Sequence, residues 1–117
     1  THAMENVIFN ELKLRGFNVD VGVIEINSTN EKGNRVRKQL EIDFVCNKGS
    51  RRYYIQSAYA MPDQVKMEQE QRSLMLTGDA FKKIIITKDS PGPYYNEDGV
   101  LVMNIFDFLL DENMLNY

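Results

Sequence analysis

Apolar residues recur at helical spacing in three parts of the chain. Over residues 1–15 they fall on one broad arc of a helical projection, and Gly16 follows, where a residue that readily adopts positive φ commonly ends a helix. A second helix is predicted from Pro62, because proline suits a first helical turn, to about Thr77. Asn104 is a suitable N-cap for the third, over residues 105–113. The arc of the first helix comprises Met4, Val7, Ile8, Leu12 and Leu14.

Five further segments alternate between apolar and polar residues or are continuously apolar, which is typical of strands. A polar loop at 27–34 closes the first two into a hairpin, and a short turn at 48–50 joins the second to the third. The order α-β-β-β-α-β-β-α places a helical crossover after an antiparallel meander. It predicts an α/β domain with a mixed central sheet flanked by helices on both faces. The predicted strands cover about 17–26, 36–46, 51–59, 84–86 and 100–104.

Composition and charge narrow the possible functions. The chain has 117 residues, of which 43% are hydrophobic and 26% charged, as in a single globular domain. A net charge of −3 excludes a uniformly basic nucleic-acid binder but not a local basic patch. No apolar run is long enough to cross a membrane. The single cysteine, Cys46, permits no intrachain disulfide, which favours a reducing, cytoplasmic location and a buried apolar role for its side chain.

Several common catalytic devices are missing from the sequence. It contains no GxxxxGK[ST] phosphate loop, and therefore no recognisable ATP site, and no GxGxxG motif after a strand. One cysteine and one histidine cannot form a structural zinc site. His2 stands at the start of the chain, where a catalytic triad is implausible.

Three polar side chains near the meander form the candidate site. Alternation along the second strand places Ile42 and Phe44 on one face and Asp43 on the other. If the second and third strands pair, Asp43 and Gln56 lie side by side on the same face, and Glu5 on the first helix can lean over them. Carboxylate and amide oxygens suit Mg²⁺ or Mn²⁺, which can activate water beside a phosphodiester. The alternative is that Asp43 is a surface group or a hydrogen-bonded structural group.

Four segments of the sequence carry a resemblance to a known family. They are ENVIFNELKLRGFNVDVG at 5–22, EIDFV at 41–45, YYIQSAY at 53–59 and DGVLVMNIFDFLL at 98–110. Together they resemble the C-terminal domain of a large prokaryotic group of AAA+-type ATP-binding proteins. That domain is similar to the PD-(D/E)XK nuclease fold, and most closely to Holliday-junction resolvases. The resemblance covers nearly the whole chain and implies a restriction-endonuclease-like core, with residues 1–117 forming one nuclease-like domain.

The resemblance also implies roles for particular residues. Glu5, eleven residues before Gly16, matches the helix glutamate of the resolvases, and Asp43 matches their metal-binding aspartate. Their third strand carries a glutamate and a lysine where this sequence has Gln56 and Ala58. Gln56 can still offer an amide oxygen, but Ala58 replaces the lysine that positions the attacking water and stabilises developing charge. The resemblance thus implies Glu5, Asp43 and Gln56 as catalytic and metal-ligating positions, with Mg²⁺ or Mn²⁺ weakly held or absent and cleavage impaired.

Basic residues are concentrated between positions 32 and 52. This region has seven basic and two acidic residues, a balance of +5. It is a candidate for phosphate contacts near the predicted site. The alternative is that a hairpin tip is charged merely because it is solvated. The predicted nucleic-acid-binding residues are Arg35, Arg37, Lys38, Lys48, Arg51 and Arg52.

The combined expectation is an accessory domain of an AAA+-type ATPase, nuclease-like in fold and impaired in catalysis, that binds DNA or a protein partner. ATP hydrolysis would belong to an N-terminal ATPase domain outside this sequence, which fits a chain that starts inside its first helix. Two alternatives stay open. One is an active, metal-dependent, structure-selective DNA endonuclease, and the other is a protein-interaction or assembly domain.

Overall fold

The chain forms three helices, six strands and a final 3₁₀ turn in the residues that the structure describes. The structure is a computed structural model that describes residues 2–59 and 63–117. No helix in these ranges is long and apolar enough to span a membrane. The helices are α1 (His2–Leu14), α2 (Gln64–Met75) and α3 (Ile105–Leu110). The strands are β1 (Asn18–Thr29), β2 (Arg35–Lys48), β3 (Arg51–Ala58), β4 (Lys82–Thr87), β5 (Tyr94–Tyr95) and β6 (Leu101–Asn104), and the 3₁₀ turn covers Met114–Asn116.

All six strands belong to one mixed sheet, in the order β1-β2-β3-β4-β6-β5. The first three form an antiparallel meander. β3, β4 and β6 run parallel, and β5 is antiparallel to β6. Because parallel neighbours need a long connection, α2 serves as the crossover between β3 and β4. The predicted α/β class and mixed central sheet are confirmed.

Helices cover both faces of this sheet. α1 and α3 pack on one side, called the α1 face, and α2 packs on the other, called the α2 face. All three isoleucines of β4, Ile84 to Ile86, are fully buried, as their uninterrupted apolar run predicts. The core of the α1 face includes Ile8, Leu12, Phe44, Ile55 and Phe108. The core of the α2 face includes Ile42, Tyr54, Leu74, Ile85 and Val102.

Local signals at two helix ends are confirmed. Gly16, the second residue after the end of α1, adopts a φ of +89°. Asn104 caps α3, since its side-chain oxygen accepts the Asp107 N–H at 2.8 Å while the Asp107 carboxylate accepts the Asn104 N–H at 3.3 Å. This reciprocal capping box fixes the point where β6 ends and α3 begins.

Other boundaries differ from those predicted. The third helix ends at Leu110, because the backbone of Asp111 is extended. The sequence pattern misses β5 and the 3₁₀ turn, since two or three residues are too short to show a period. The buried stripe of α1 is narrower than the predicted arc, with Leu14 83% exposed. The predicted helix start at Pro62 lies outside the described residues, and α2 has Asp63 as its N-cap.

β1 and β2 extend beyond the rest of the sheet as a two-stranded arm. β3 pairs with β2 only over residues 44–48, whereas residues 22–29 of β1 pair with residues 35–42 of β2 alone. These two segments are called the hairpin arm. On the α2 face the arm lies beside α2, with a cavity of about 480 Å³ between them. On the α1 face its side chains are exposed, among them Val23 at 54%.

Candidate functional site

A β-bulge in β2 positions the candidate site. Val21 of β1 lies opposite two residues of β2, Asp43 and Phe44, because the strand register shifts at this point. The bulge interrupts the alternation of side chains, so that Ile42 packs in the α2-face core and Phe44 in the α1-face core. The prediction that Ile42 and Phe44 share one face is therefore wrong, because strict alternation does not hold across a bulge.

Gly22 provides the space that this bulge requires. A Cβ atom at Gly22 would lie 2.7 Å from Cγ2 of Val45 and 3.1 Å from Cβ of Ile42. These separations are shorter than ordinary van der Waals contacts, so a larger residue would push the two strands apart. Glycine within a strand is itself a sequence signal of a bulge or a close approach.

Asp43 is directed to the α1 face, where it lines a cavity of about 260 Å³ with Glu5 and Glu41. This is called the Asp43 cavity. Oδ2 of Asp43 accepts two hydrogen bonds from Ser57, from the backbone N–H at 2.9 Å and from the hydroxyl at 3.0 Å. α1 brings Glu5 to the same cavity. Two of the three predicted site residues, Glu5 and Asp43, thus lie together.

Gln56 lies on the α2 face and does not line the Asp43 cavity. Its Oε1 accepts the backbone N–H of Asp43 at 2.6 Å. Its Nε2 lies 3.2 Å from the hydroxyl of Ser73, and 3.4 Å from the carbonyls of Glu41 and Glu70. The expectation that Asp43 and Gln56 present their side chains on one face is wrong, because the bulge directs Asp43 toward α1 while Gln56 faces α2.

Ala58 occupies the position where the resemblance implies a lysine. It is 6% exposed and belongs to the α2-face core with Tyr54 and Leu74. A lysine side chain here would carry an ammonium group into a close-packed apolar region, which is costly without a partner. The alanine is therefore part of the core and does not leave an empty place in a catalytic site.

The electrostatic surroundings of Asp43 extend to α2. Burial raises the pKa of Glu70, and the negative charge of Asp43 raises the pKa of Glu70 further. With Glu5 and Glu41 also lining the cavity, four carboxyl groups lie in this part of the molecule. The region therefore carries negative charge. A phosphate group can approach it only where nearby cationic groups offset that charge.

The predicted metal ligands do not converge on one point. Within residues 2–59 and 63–117, no group of three or more His, Cys, Asp or Glu side chains is arranged to hold a metal ion. The amide oxygen of Gln56 is engaged by a backbone N–H and faces away from the carboxylates of Glu5 and Asp43. A cation coordinated by all three residues together does not fit this arrangement.

The predicted nucleic-acid-binding residues form two separate groups. The first lies on the hairpin arm and the second at the turn between β2 and β3. Arg37 and Lys48 are eleven positions apart in one extended strand, roughly 36 Å at the usual rise of a strand. They cannot belong to a single patch. The arm group is Arg35, Arg37 and Lys38, and the turn group is Lys48, Arg51 and Arg52.

Alternation along β2 determines which of the arm residues face the Asp43 cavity. Glu41 lines that cavity, and Arg37 and Arg35 lie four and six positions before it, so they share its face. Lys38 lies opposite Ile26, which lines the cavity beside α2, so Lys38 faces α2. About 13 Å of strand separates Arg37 from Glu41. The α1 face of the arm thus leads from two exposed guanidinium groups to the Asp43 cavity.

Two cations of the turn group are held by local contacts. Nε of Arg52 donates to Oδ1 of Asn47 at 2.7 Å, and its guanidinium lies 5.6 Å from the ring centroid of Phe81. Nζ of Lys48 donates to the carbonyl of Arg15 at 2.7 Å. These residues therefore also have structural contacts, whereas Arg35 and Arg37 project from the arm as exposed side chains.

Cys46 has the buried role that the sequence predicts. It is fully buried in the α1-face core, and its thiol donates to the carbonyl of Tyr53 at 3.4 Å. Burial raises the pKa of the Cys46 thiol to about 12. A thiol that stays protonated at neutral pH is a poor nucleophile, so Cys46 is not a candidate catalytic residue.

Sequence reasoning missed two residues that shape the site, Ser57 and Glu70. Ser57 holds the carboxylate of Asp43, and Glu70 is electrostatically coupled to it. Alternation along β3 places Ser57 on the face opposite Gln56, so its contact with Asp43 could be predicted only together with the bulge in β2. Glu70 gives no such signal, because its contact with this region depends on how α2 packs against the sheet.

Comparison with known proteins identifies one relative over most of the chain. An uncharacterized protein of Haemophilus influenzae is 34% identical over 110 residues, which cover 92% of this chain and 22% of that protein. The chain therefore spans about a fifth of the length of the relative that it matches. No known family profile and no solved structure matches the chain.

Proposed function

We propose that this chain is an accessory nucleic-acid-binding domain, built on a nuclease-like core whose cleavage chemistry is impaired. The order of its elements supports the PD-(D/E)XK assignment. α1, the antiparallel meander, the α2 crossover and the parallel strand β4 follow the α-β-β-β-α-β order that the resemblance implies. The site of such a core would lie at the β2 bulge, where the Asp43 cavity opens.

The position of Gln56 is the observation that carries the proposal of impaired cleavage. In the nuclease pattern, the residues at the positions of Gln56 and Asp43 hold one metal ion. In this protein the amide of Gln56 is instead engaged on the α2 face. Mg²⁺ loses its water reluctantly and depends on converging carboxylates. The lysine of the nuclease pattern is also missing from this sequence, and a charged group directed at a transition state is typically worth about 10²–10³ in rate.

Nucleic-acid binding is supported by the α1 face of the hairpin arm. Arg35 and Arg37 are exposed there, on the face that leads to Glu41 and Asp43. Guanidinium groups bind phosphate through paired hydrogen bonds and do not lose their charge at any physiological pH. Arg35 and Arg37 lie on the same face as the acidic Asp43 cavity, nearer the tip of the arm. This arrangement favours a nucleic acid whose backbone phosphates contact the arm.

The same proposal places this domain in a longer protein that also contains an ATPase domain. In the Haemophilus influenzae relative, the matched region is 22% of the length, so that protein has room for further domains. This chain has no phosphate loop of its own. ATP hydrolysis would then take place in another domain of the protein, with this domain contacting the nucleic acid.

Two assays on the full-length protein test the proposal. Gel-shift titration with branched and duplex DNA should show binding that the paired change Arg35→Gln and Arg37→Gln weakens at least tenfold, because charged hydrogen bonds are worth about 1.5–3 kcal/mol each. Lys66→Gln with Arg72→Gln, at two exposed cations of α2, removes the same charge as the matched control and should leave binding unchanged. Absence of DNA binding, or equal effects of the variants, contradicts the proposal and favours a protein-interaction domain.

An active metal-dependent endonuclease is the second candidate, and the shared cavity of Glu5 and Asp43 favours it. Incubation of the full-length protein with branched DNA and Mn²⁺ separates the two candidates. The impaired domain should leave the DNA intact. Cleavage that disappears in Asp43→Asn but persists in Glu68→Gln would establish the enzyme instead.

A further inference from the structure

A second cavity lies at the end of the molecule away from the tip of the hairpin arm. It occupies about 500 Å³ between the end of α1, the β2–β3 turn and the C-terminal segment. This volume is in the usual range of small-molecule sites. It is called the Arg15 cavity, and its polar lining includes Arg15, Lys48, Arg51, Tyr53, Glu112 and Asn116.

Several hydrogen-bond donors line the Arg15 cavity. Arg51 contributes an exposed guanidinium group, and Lys48 uses one of its three N–H donors on the carbonyl of Arg15. The hydroxyl of Tyr53 donates to Oδ1 of Asn116, which leaves the two N–H donors of that amide for other partners. A ligand that complements this wall must be rich in acceptors and negatively charged.

Arg15 is the least exposed cation of this lining. Its side chain is 9% exposed, and its Nε donates to the carboxylate of Glu11 at 2.9 Å. Its Nη2 donates to the carbonyl of Phe108. Nη1 is buried and has no hydrogen-bond partner in the described part of the chain. The guanidinium carbon lies 4.6 Å from the ring centroid of Phe108, so the group packs against this ring. Arg15 therefore adds positive charge beside the cavity, but its guanidinium is engaged by Glu11 and Phe108 and is not a direct ligand-binding group.

The carboxylates of the cavity do not balance its cations. Glu11 is paired with Arg15, so one carboxylate, Glu112, faces the remaining charges of Lys48 and Arg51. Glu112 is exposed on the C-terminal segment. It would compete with an incoming anion for the same donors.

We infer that the Arg15 cavity binds a phosphate monoester. Lys48, Arg51 and the amide of Asn116 can donate to the oxygens of one terminal phosphate, and the guanidinium group of Arg51 matches its geometry. The remaining volume admits the group that carries the phosphate. This inference does not depend on the hairpin arm, which lies at the opposite end of β2.

Calorimetric titration of the protein with inorganic phosphate and with adenosine 5′-monophosphate tests the inference. Both should bind, and Arg51→Gln should weaken binding about tenfold or more, because it removes charge-assisted hydrogen bonds. Glu112→Gln should tighten binding a few-fold by removing the competing carboxylate. Arg72→Gln, an exposed cation on α2, is the matched control. If neither probe binds, or if Arg51→Gln behaves like Arg72→Gln, the inference is overturned.

A second titration distinguishes the two possible sources of the phosphate. A 5′-phosphorylated oligonucleotide is compared with its 5′-hydroxyl form, in the wild-type protein and in Arg51→Gln. A gain of tenfold or more from the phosphate, lost in Arg51→Gln, assigns the cavity to a nucleic-acid end. Equal affinity of the two oligonucleotides, with adenosine 5′-monophosphate still bound, assigns it to a small phosphorylated molecule. Arg35→Gln with Arg37→Gln should alter neither result, so this inference and the proposed function can fail separately.

Discussion

Oε1 of Gln56 accepts the backbone N–H of Asp43 at 2.6 Å, on the face of the sheet opposite the Asp43 carboxylate. The side chain that a nuclease site would use as a ligand serves here as a link between β3 and β2. Its Nε2, beside the hydroxyl of Ser73, also ties α2 to the sheet. Restoring a nuclease-like residue at this position should therefore disturb the fold before it restores a metal site.

Gln56→Glu should destabilise the protein by about 2–4 kcal/mol, because a glutamate cannot donate to Ser73 and would bury a charge beside two carbonyl oxygens. Urea unfolding at neutral pH measures the loss. Gln69→Glu, at an exposed position on α2, makes the same chemical change and should alter the free energy of unfolding by less than about 0.5 kcal/mol. Equal losses in the two variants would show that Gln56 does not have this structural role.

Because the pKa of Glu70 is raised, Glu70→Gln should increase the stability of the folded protein, and the size of this increase should depend on pH. Burial and the Asp43 charge raise the pKa of Glu70 in the folded state. The folded protein therefore binds this proton more tightly than the unfolded chain, and its stability falls as pH rises from the ordinary carboxyl range through the raised value.

Glu70→Gln removes this penalty, so the variant should be more stable than the wild type at pH 7 by a few tenths of a kcal/mol. The gain should vanish below about pH 4, where the carboxyl of the unfolded chain is also protonated. Urea unfolding at the two pH values checks this, with Glu68→Gln on the same helix as control. A gain that persists in acid would assign the effect to something other than ionisation.

Gly22→Ala should destabilise the protein by about 1–3 kcal/mol, because the added Cβ would lie 2.7 Å from Cγ2 of Val45. The double variant Gly22→Ala with Val45→Ala should recover part of that loss, since it removes the nearest contact. Thermal unfolding of the two single variants and the double variant gives the coupling between the positions. Strictly additive losses would mean that the bulge does not depend on this close approach.

Cys46 should resist alkylation in the folded protein. Burial raises the pKa of its thiol to about 12, so hardly any thiolate exists at pH 8. Mass spectrometry after treatment with iodoacetamide should find the native protein unmodified and the urea-unfolded chain fully labelled. Rapid labelling without denaturant would show that the α1-face core opens readily around this residue.

The helices and the central strands follow from sequence because their signals are local and repeated. The uninterrupted Ile84 to Ile86 predicts a strand buried on both faces, and Asn104 predicts the start of α3; both are confirmed. β5 could not be predicted, because Tyr94 and Tyr95 lie in a loop rich in glycine and proline and are too few to show a period.

The candidate site was harder to predict than the fold, because it depends on a single inserted residue. A strand without a bulge would place Asp43 and Gln56 on one face, as alternation implies. The bulge directs Asp43 to α1. Gly22 in the facing strand is the residue that indicates this bulge in the sequence. The coupling of Glu70 to Asp43 depends on the packing of α2, for which the sequence gives no local signal.

The salt dependence of DNA binding tests the central claim most directly. The equilibrium constant for a duplex is measured by fluorescence anisotropy over a range of NaCl concentrations, for the wild type and for the variant Arg35→Gln with Arg37→Gln. Each phosphate contact contributes about 0.9 to the slope of log K against log[NaCl], so losing two contacts should reduce the slope by about 2. Lys66→Gln with Arg72→Gln removes the same charge from α2 and should leave the slope unchanged. The same slope in both double variants would contradict nucleic-acid binding along the α1 face of the hairpin arm.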